Sequence, residues 1–135
     1  MTEGYSGTPL ATKLGLKEGM RVWFEGMPQS VREEIDAAEM TLSEQEIPAP
    51  GTNLAHVFVN ERASLVQHLE ALRGLIDPAG VVWISWPKKA SKVPTDITED
   101  TIREVALPMG YVDVKVCAVD AIWSGLKLVI RKSAR

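Results

Sequence analysis

The chain has 135 residues, 45% of them hydrophobic, with 18 acidic and 15 basic side chains; that length suits one compact domain over residues 1–135, burying roughly two-thirds of its unfolded surface. A net charge of -3 gives no global positive field for nonspecific nucleic-acid binding. The single cysteine, Cys117, excludes an internal disulfide and leaves too few Cys/His ligands for zinc, while the lack of an apolar run near the roughly 20 residues of a membrane helix, and of a basic or apolar start, predicts a cytoplasmic protein without a membrane contact.

Residues 1–18 read as an N-terminal arm and short helix. Thr8-Pro9 suits an N-cap followed by proline at the first helical position, Gly15 ends the helix, and Leu10, Leu14 and Leu16 dock it. Tyr5 to Pro9 is expected to fold over one end of the sheet as a lid. Arg21-Val22-Trp23-Phe24 reads as the first strand; Gly26 and Pro28 end it, and Ser30 is placed to cap a helix running to Ala38. A weak strand is expected around Met40 to Leu42, and the prolines of Ile47-Pro48-Ala49-Pro50-Gly51 enforce a loop.

Ala55-His56-Val57-Phe58-Val59 is the next strand, and Leu65, Leu69, Leu72 and Ile76 recur at helical spacing after it. Asp77-Pro78-Ala79-Gly80 reads as a turn into Val81-Val82-Trp83-Ile84-Ser85-Trp86, a run apolar enough to be covered on both faces. Thr98 is expected to cap a further helix, with Glu99 and Asp100 at its positive end and Ile102, Val105 and Ala106 as its buried stripe. Residues 111–119 alternate, with Val112, Val114, Val116 and Ala118 on one face, and Leu126, Leu128 and Ile130 alternate after Gly125. These last strands are joined too closely for a helical crossover, so they form an antiparallel hairpin. The sum is a three-layer, Rossmann-like α/β domain with a mostly parallel sheet and a C-terminal antiparallel hairpin.

Residues 86–96, Trp-Pro-Lys-Lys-Ala-Ser-Lys-Val-Pro-Thr-Asp, place three lysines, hydroxyls and a carboxylate where a buried strand ends. In open α/β sheets the ligand crevice lies beyond the carboxyl ends of such strands.

The order of elements, and the turn Leu75-Ile76-Asp77-Pro78-Ala79-Gly80-Val81-Val82, resemble the class I methyltransferase fold. Tyr5-Ser6-Gly7-Thr8-Pro9-Leu10, Lys13-Leu14-Gly15, Trp86-Pro87-Lys88-Lys89-Ala90-Ser91, Val93-Pro94-Thr95-Asp96, Lys115-Val116-Cys117-Ala118-Val119-Asp120 and Trp123-Ser124-Gly125-Leu126 resemble a bacterial family catalogued as domain of unknown function 3052. The resemblance implies a methyltransferase-like domain without an assigned activity. It also exposes two departures. Methyltransferases hold S-adenosylmethionine on a glycine-rich turn after the first strand; here that turn is Phe24-Glu25-Gly26-Met27-Pro28-Gln29-Ser30, with one glycine, and Pro28 removes a backbone donor. Residues 43–54 are too few for the usual third strand.

If the methyltransferase order holds, the hairpin at residues 120–125 meets the lysine loop at one sheet edge. The candidate ligand set is then Trp86, Lys88, Lys89, Ser91, Lys92, Thr95, Asp96, Asp120, Trp123 and Ser124, suited to a small phosphate or carboxylate. The competing reading is a solvated lysine loop, with Trp123 in the core and Asp120 turning the hairpin. Cys117 reads as a structural thiol, because neither histidine falls near it to act as a base. His56 and His68 read as solvent-facing, and Asp96, Glu99 and Asp100 as helix-start acids, so no metal is expected. Trp23, Trp83 and Trp86 are assigned to the core.

Three functions follow. The first is a noncatalytic module that binds a small anion or a protein partner, with no cofactor. The second is a diverged S-adenosylmethionine-dependent methyltransferase using Glu25, Gly26 and Glu44 for the cofactor and Asp96 or Asp120 at the acceptor. The third is a protein-interaction module that forms a homodimer through an exposed edge strand.

Overall fold

A computed structural model describes residues 8–135. Its elements are α1 (Leu10–Leu14), β1 (Arg21–Glu25), α2 (Gln29–Asp36), β2 (Ser43–Gln45), β3 (Thr52–Phe58), α3 (Arg62–Arg73), β4 (Ile76–Pro87), α4 (Glu99–Ala106), β5 (Tyr111–Ala118) and β6 (Trp123–Ile130). Six strands form one sheet in the order β2-β1-β3-β4-β6-β5. The pairs from β2 to β4 are parallel, and β6 runs antiparallel to both β4 and β5. Residues 46–51 join β2 to β3 as a loop, without a strand between them. Among the described residues, no helix is long and apolar enough to cross a membrane.

The two-residue period of the strands splits the core into two layers. On one side Ala55, Val57, Val82, Ile84, Trp86, Leu126 and Leu128 meet Leu65, Leu69 and Leu72 of α3 and Ile102, Val105 and Ala106 of α4. On the other, Val22, Leu54, Phe58 and Trp83 meet Leu10, Ala11 and Leu14 of α1 and Val31 and Ile35 of α2. The Trp83 indole N–H donates to the Leu14 carbonyl at 2.9 Å, which fixes the short helix on the sheet. Tyr111 is likewise buried, donating its hydroxyl to the Leu69 carbonyl at 2.7 Å.

Several local boundaries differ from the sequence reading. Pro9 and Pro28, rather than Thr8 and Ser30, occupy the positions before α1 and α2, and neither helix has a side-chain cap. Helix α2 stops at Asp36, and Glu39 follows with φ 55°. Strand β2 lies at Ser43–Gln45, not Met40 to Leu42, because the preceding segment is tied down: Thr41 N donates to the Glu18 carboxylate, Gly19 N to Thr41 O and Ser43 N to Met20 O. Asp77 to Gly80 is not a turn before β4 but a bulge within it. Ile76 pairs with Thr52 and Val81 with Leu54, so the intervening residues loop out, with Asp77 Oδ1 accepting from Ala79 N at 2.8 Å.

A second bulge breaks β5. Asp113 pairs with Leu128 and Lys115 with Lys127, leaving Val114 extra. The expected row Val112, Val114, Val116, Ala118 is therefore split: Val116 pairs with Leu126 and shares the α4 side, while Val112 lies on the other side. Thr98 caps α4 as expected, in a reciprocal box with Thr101.

Candidate functional site

Strand β4 ends at Pro87, and the loop that leaves it is first bound to the hairpin: Lys88 N donates to Ile122 O at 2.8 Å. Residues Lys89–Ser91 make a single 3-10 turn, closed by Lys92 in the left-handed region at φ 61°. Ser91 Oγ donates to Lys88 O at 2.7 Å and accepts from Val93 N at 3.2 Å. Thr95 Oγ1 donates to Asn60 O at 2.8 Å and accepts from Ile97 N at 3.1 Å. Asp96 Oδ1 accepts from Arg62 N, the first residue of α3, at 2.7 Å. Asp120 Oδ1 accepts from both Ile122 N and Trp123 N at 2.8 Å, which closes the hairpin. The side-chain oxygens of Ser91, Thr95, Asp96 and Asp120, expected to face a ligand, thus hold the backbone in place.

What remains free is the set of lysines. Lys89 and Lys92 are exposed and Lys88 half-buried, and among the described residues none of them joins an ion pair. Beside them is a cavity of about 480 Å³ between the loop and the start of α4. Trp86, Pro87, Val93, Pro94 and Ile97 form its apolar wall, with Lys89 and Lys92 among its lining. Its one lining carboxylate, Glu99, is bound by Arg103, which also holds Asp100 and Asp113. Asp113 and Glu99 hold the Arg103 pKa above its ordinary value, and Asp113 is held below the usual carboxylate range by Arg103.

The hairpin does reach the same edge as the lysine loop, since Pro87 pairs with Trp123 and Trp86 with Ser124. The pleat then separates what the topology brings together. Trp86 belongs to the core beneath α3 and α4, whereas Trp123 stands edge-on to Phe58, centroids 5.2 Å apart, in the core beneath α1 and α2. Ser124 shares the Trp86 face, and Trp123 and Asp120 do not line this cavity.

The cofactor residues of the diverged-enzyme reading are placed differently. Helices α2 and α3 cover opposite faces, so the topological switch lies between the ends of β1 and β3. There Gly26 turns at φ 68°, and a Cβ on it would meet Phe58 O at 3.0 Å. The glycine accommodates a crossing of two protein backbones. Met27 packs partly buried against the α1–α2 core, and Pro28 has no N–H to offer. Glu44 lies within β2, opposite Val22, and not at its end. Both its oxygens accept from Arg32, at 2.9 and 2.8 Å, which lowers the Glu44 pKa and raises that of Arg32. Glu25 is exposed at the strand end. At this turn Gly26 thus faces a protein backbone, Pro28 offers no amide and the Glu44 carboxylate is held by Arg32.

His56 departs furthest from expectation. It is fully buried, stacked 4.4 Å from Phe58, with Nε2 2.7 Å from Ser85 Oγ and Nδ1 without a partner. Burial pushes its pKa down to about 3. The signal was present in its alternation with Leu54 and Phe58, both on the α1–α2 face. A serine and histidine at hydrogen-bonding distance suggest a nucleophile and base. Here neither is accessible, since both are 0% exposed, and no carboxylate orients the ring; the pair is a core contact. Gly125 makes room for it, because a Cβ there would approach Ser85 Oγ to 3.1 Å. His68 is half-exposed on α3 against Trp23, and burial raises the Cys117 pKa, as expected of a structural thiol. Among the described residues no cluster of His, Cys, Asp and Glu is placed to hold a metal ion. The Tyr5 to Gly7 part of the expected lid lies outside the described residues.

No protein-family model matches the sequence, and no curated protein matches it. Solved structures do match in shape. A SAM-dependent methyltransferase from Aquifex aeolicus superposes with a TM-score of 0.63 at 18% identity, over 90% of this chain and 87% of that one. A ribosomal protein L11 methylase from Lactobacillus delbrueckii subsp. bulgaricus gives 0.56 at 12% identity, over 95% and 81%. Aeropyrum pernix fibrillarin, solved with natively bound S-adenosyl-L-methionine, gives 0.54 at 11% identity, over 89% and 73%. The chain therefore has the Rossmann-like α/β fold of the S-adenosylmethionine-dependent methyltransferases.

Proposed function

We propose that this domain is a noncatalytic binding module of the cytoplasm that takes a small anionic ligand beside the lysine loop, on a fold whose cofactor turn keeps a single glycine. We extend that reading to the domain of unknown function 3052 family that the sequence resembles. The observation that carries it is the cavity at Trp86, with its apolar wall and lysines free of protein carboxylates. Its size lies within the roughly 300–1,000 Å³ of small-molecule sites. Lysine ammonium groups act as point charges and set no strict angle, so they suit a carboxylate or phosphate equally. Gly26 against Phe58 O, and Glu44 bound by Arg32, favour this reading over a diverged methyltransferase.

Isothermal titration tests both halves. S-adenosylmethionine and its demethylated product are expected to give no heat, and micromolar binding of either overturns the noncatalytic reading. A small aryl carboxylate is expected to bind, with at least a tenfold loss on changing Lys88, Lys89 and Lys92 together to alanine. Undiminished binding by that variant places the site elsewhere, and retention of only a protein partner from solution makes the edge a protein interface.

A further inference from the structure

The cavity beside Trp86 has a shape and a polarity as well as a charge. Its cations, Lys89 and Lys92, lie on the loop, while the wall of Trp86, Pro87, Val93, Pro94 and Ile97 is apolar. The far side begins α4, where Glu99 and Asp100 occupy the first turn and Thr98 Oγ1 takes the Thr101 amide. Arg103 pairs with both acids, so the free charges at the site are the two loop lysines, which one anionic group matches.

Register extends the wall. Trp86 pairs with Ser124, and Ser124 with Ala118, so in these antiparallel pairs the three side chains lie abreast on the α4 side of the sheet. The next row is Ile84, Leu126 and Val116. Ile84 and Leu126 are fully covered, but Val116 is 49% exposed and Ala118 is exposed as well. A shelf of small and apolar side chains therefore runs from the Trp86 wall to the outer strand β5.

Building on the anion-binding reading above, we propose that the ligand is an amphipathic monoanion: a linear or flat apolar body with a single carboxylate. The carboxylate sits at Lys89 and Lys92, and the body follows the Trp86 wall onto Ser124 and Ala118. An inorganic anion, polyphosphates included, leaves the apolar wall unused.

The test is a two-dimensional amide NMR titration of the full chain with straight-chain carboxylates from butanoate to decanoate below their micelle concentrations. Inorganic phosphate and octanamide serve as controls. Shifts are expected at residues 86–99, with affinity rising roughly fourfold per methylene while the chain stays on the wall. The rise should level off once the chain passes Ala118. Ala118→Gln should end it at a shorter chain and leave butanoate unchanged. Phosphate binding at these residues without a gain from longer carboxylates overturns the amphiphile and leaves the anion site standing. Octanamide binding as tightly as octanoate overturns both, because the charge is then unread. Absence of shifts at residues 86–99 with every probe also overturns both.

Discussion

The buried imidazole of His56 is neutral in the folded protein, with its pKa pushed down to about 3 from 6.5. Of its two nitrogens, an orphaned lone pair costs less than an orphaned N–H, so Nε2 carries the proton and donates to Ser85 Oγ while Nδ1 stays bare. An unfolded chain binds a proton at His56 that the folded chain excludes. The contribution is complete above pH 6.5 and is lost as pH falls from there toward 3, at on the order of 1.4 kcal/mol per unit. Glu44 and Asp113, held low by Arg32 and Arg103, lose their contributions only at more acid pH. Urea unfolding at pH 7 and pH 5 should therefore show the wild type losing about 2 kcal/mol, and His56→Gln losing little. Equal losses would mean that His56 is not the group responsible. Its burial was legible by alternation, but a histidine in a strand carries no mark of which face it takes until its neighbours are fixed.

At the scale of elements, the lysine loop carries a conformational cost. Lys92 holds φ 61°, a left-handed position that glycine adopts freely and a lysine does not. Lys92→Gly should stabilise the fold by about 1 kcal/mol while weakening carboxylate binding. Differential unfolding and titration of the same variant check the pair, and a gain in stability with unchanged affinity would show the side chain to be idle. Helices α3 and α4 were legible because apolar spacing and, for α4, its Thr98 cap are local properties. The bulges in β4 and β5 were not, since a bulge exists only relative to the strand across from it. The same distinction divides the candidate site. Charge at the loop is written in the sequence, and Ser91, Thr95 and Asp120 accept from amides two or three residues further on, as such side chains do in turns. The use of Asp96, by contrast, depends on where the distant Arg62 amide comes to lie.

For the whole molecule, the sheet has two unpaired margins and both are blunted. Strand β2 has only three residues, and β5 carries the Val114 bulge and Lys115 beside exposed Val114 and Val116. Bulges and lysines on edge strands disfavour pairing with another chain. Lys115→Val should raise self-association, seen as a concentration-dependent increase in sedimentation coefficient; an unchanged coefficient would leave the bulge alone as the guard. The mostly parallel sheet and the final hairpin were legible from the alternation of strands and helices and the close last connection, whereas the place of β6 beside β4 was implied by the resemblance to methyltransferases. The assignment of Trp86 and Trp123 to opposite faces required the register.

That opposition has a consequence for how such a chain changes over generations. Mutations at the turn between the ends of β1 and β3 act through Phe24, Met27, Phe58 and their neighbours on the α1–α2 side. Those that reshape the Trp86 cavity act through side chains beneath α4. The two sets lie on opposite faces of the sheet and share no side chain, so substitutions in one can accumulate without repacking the other.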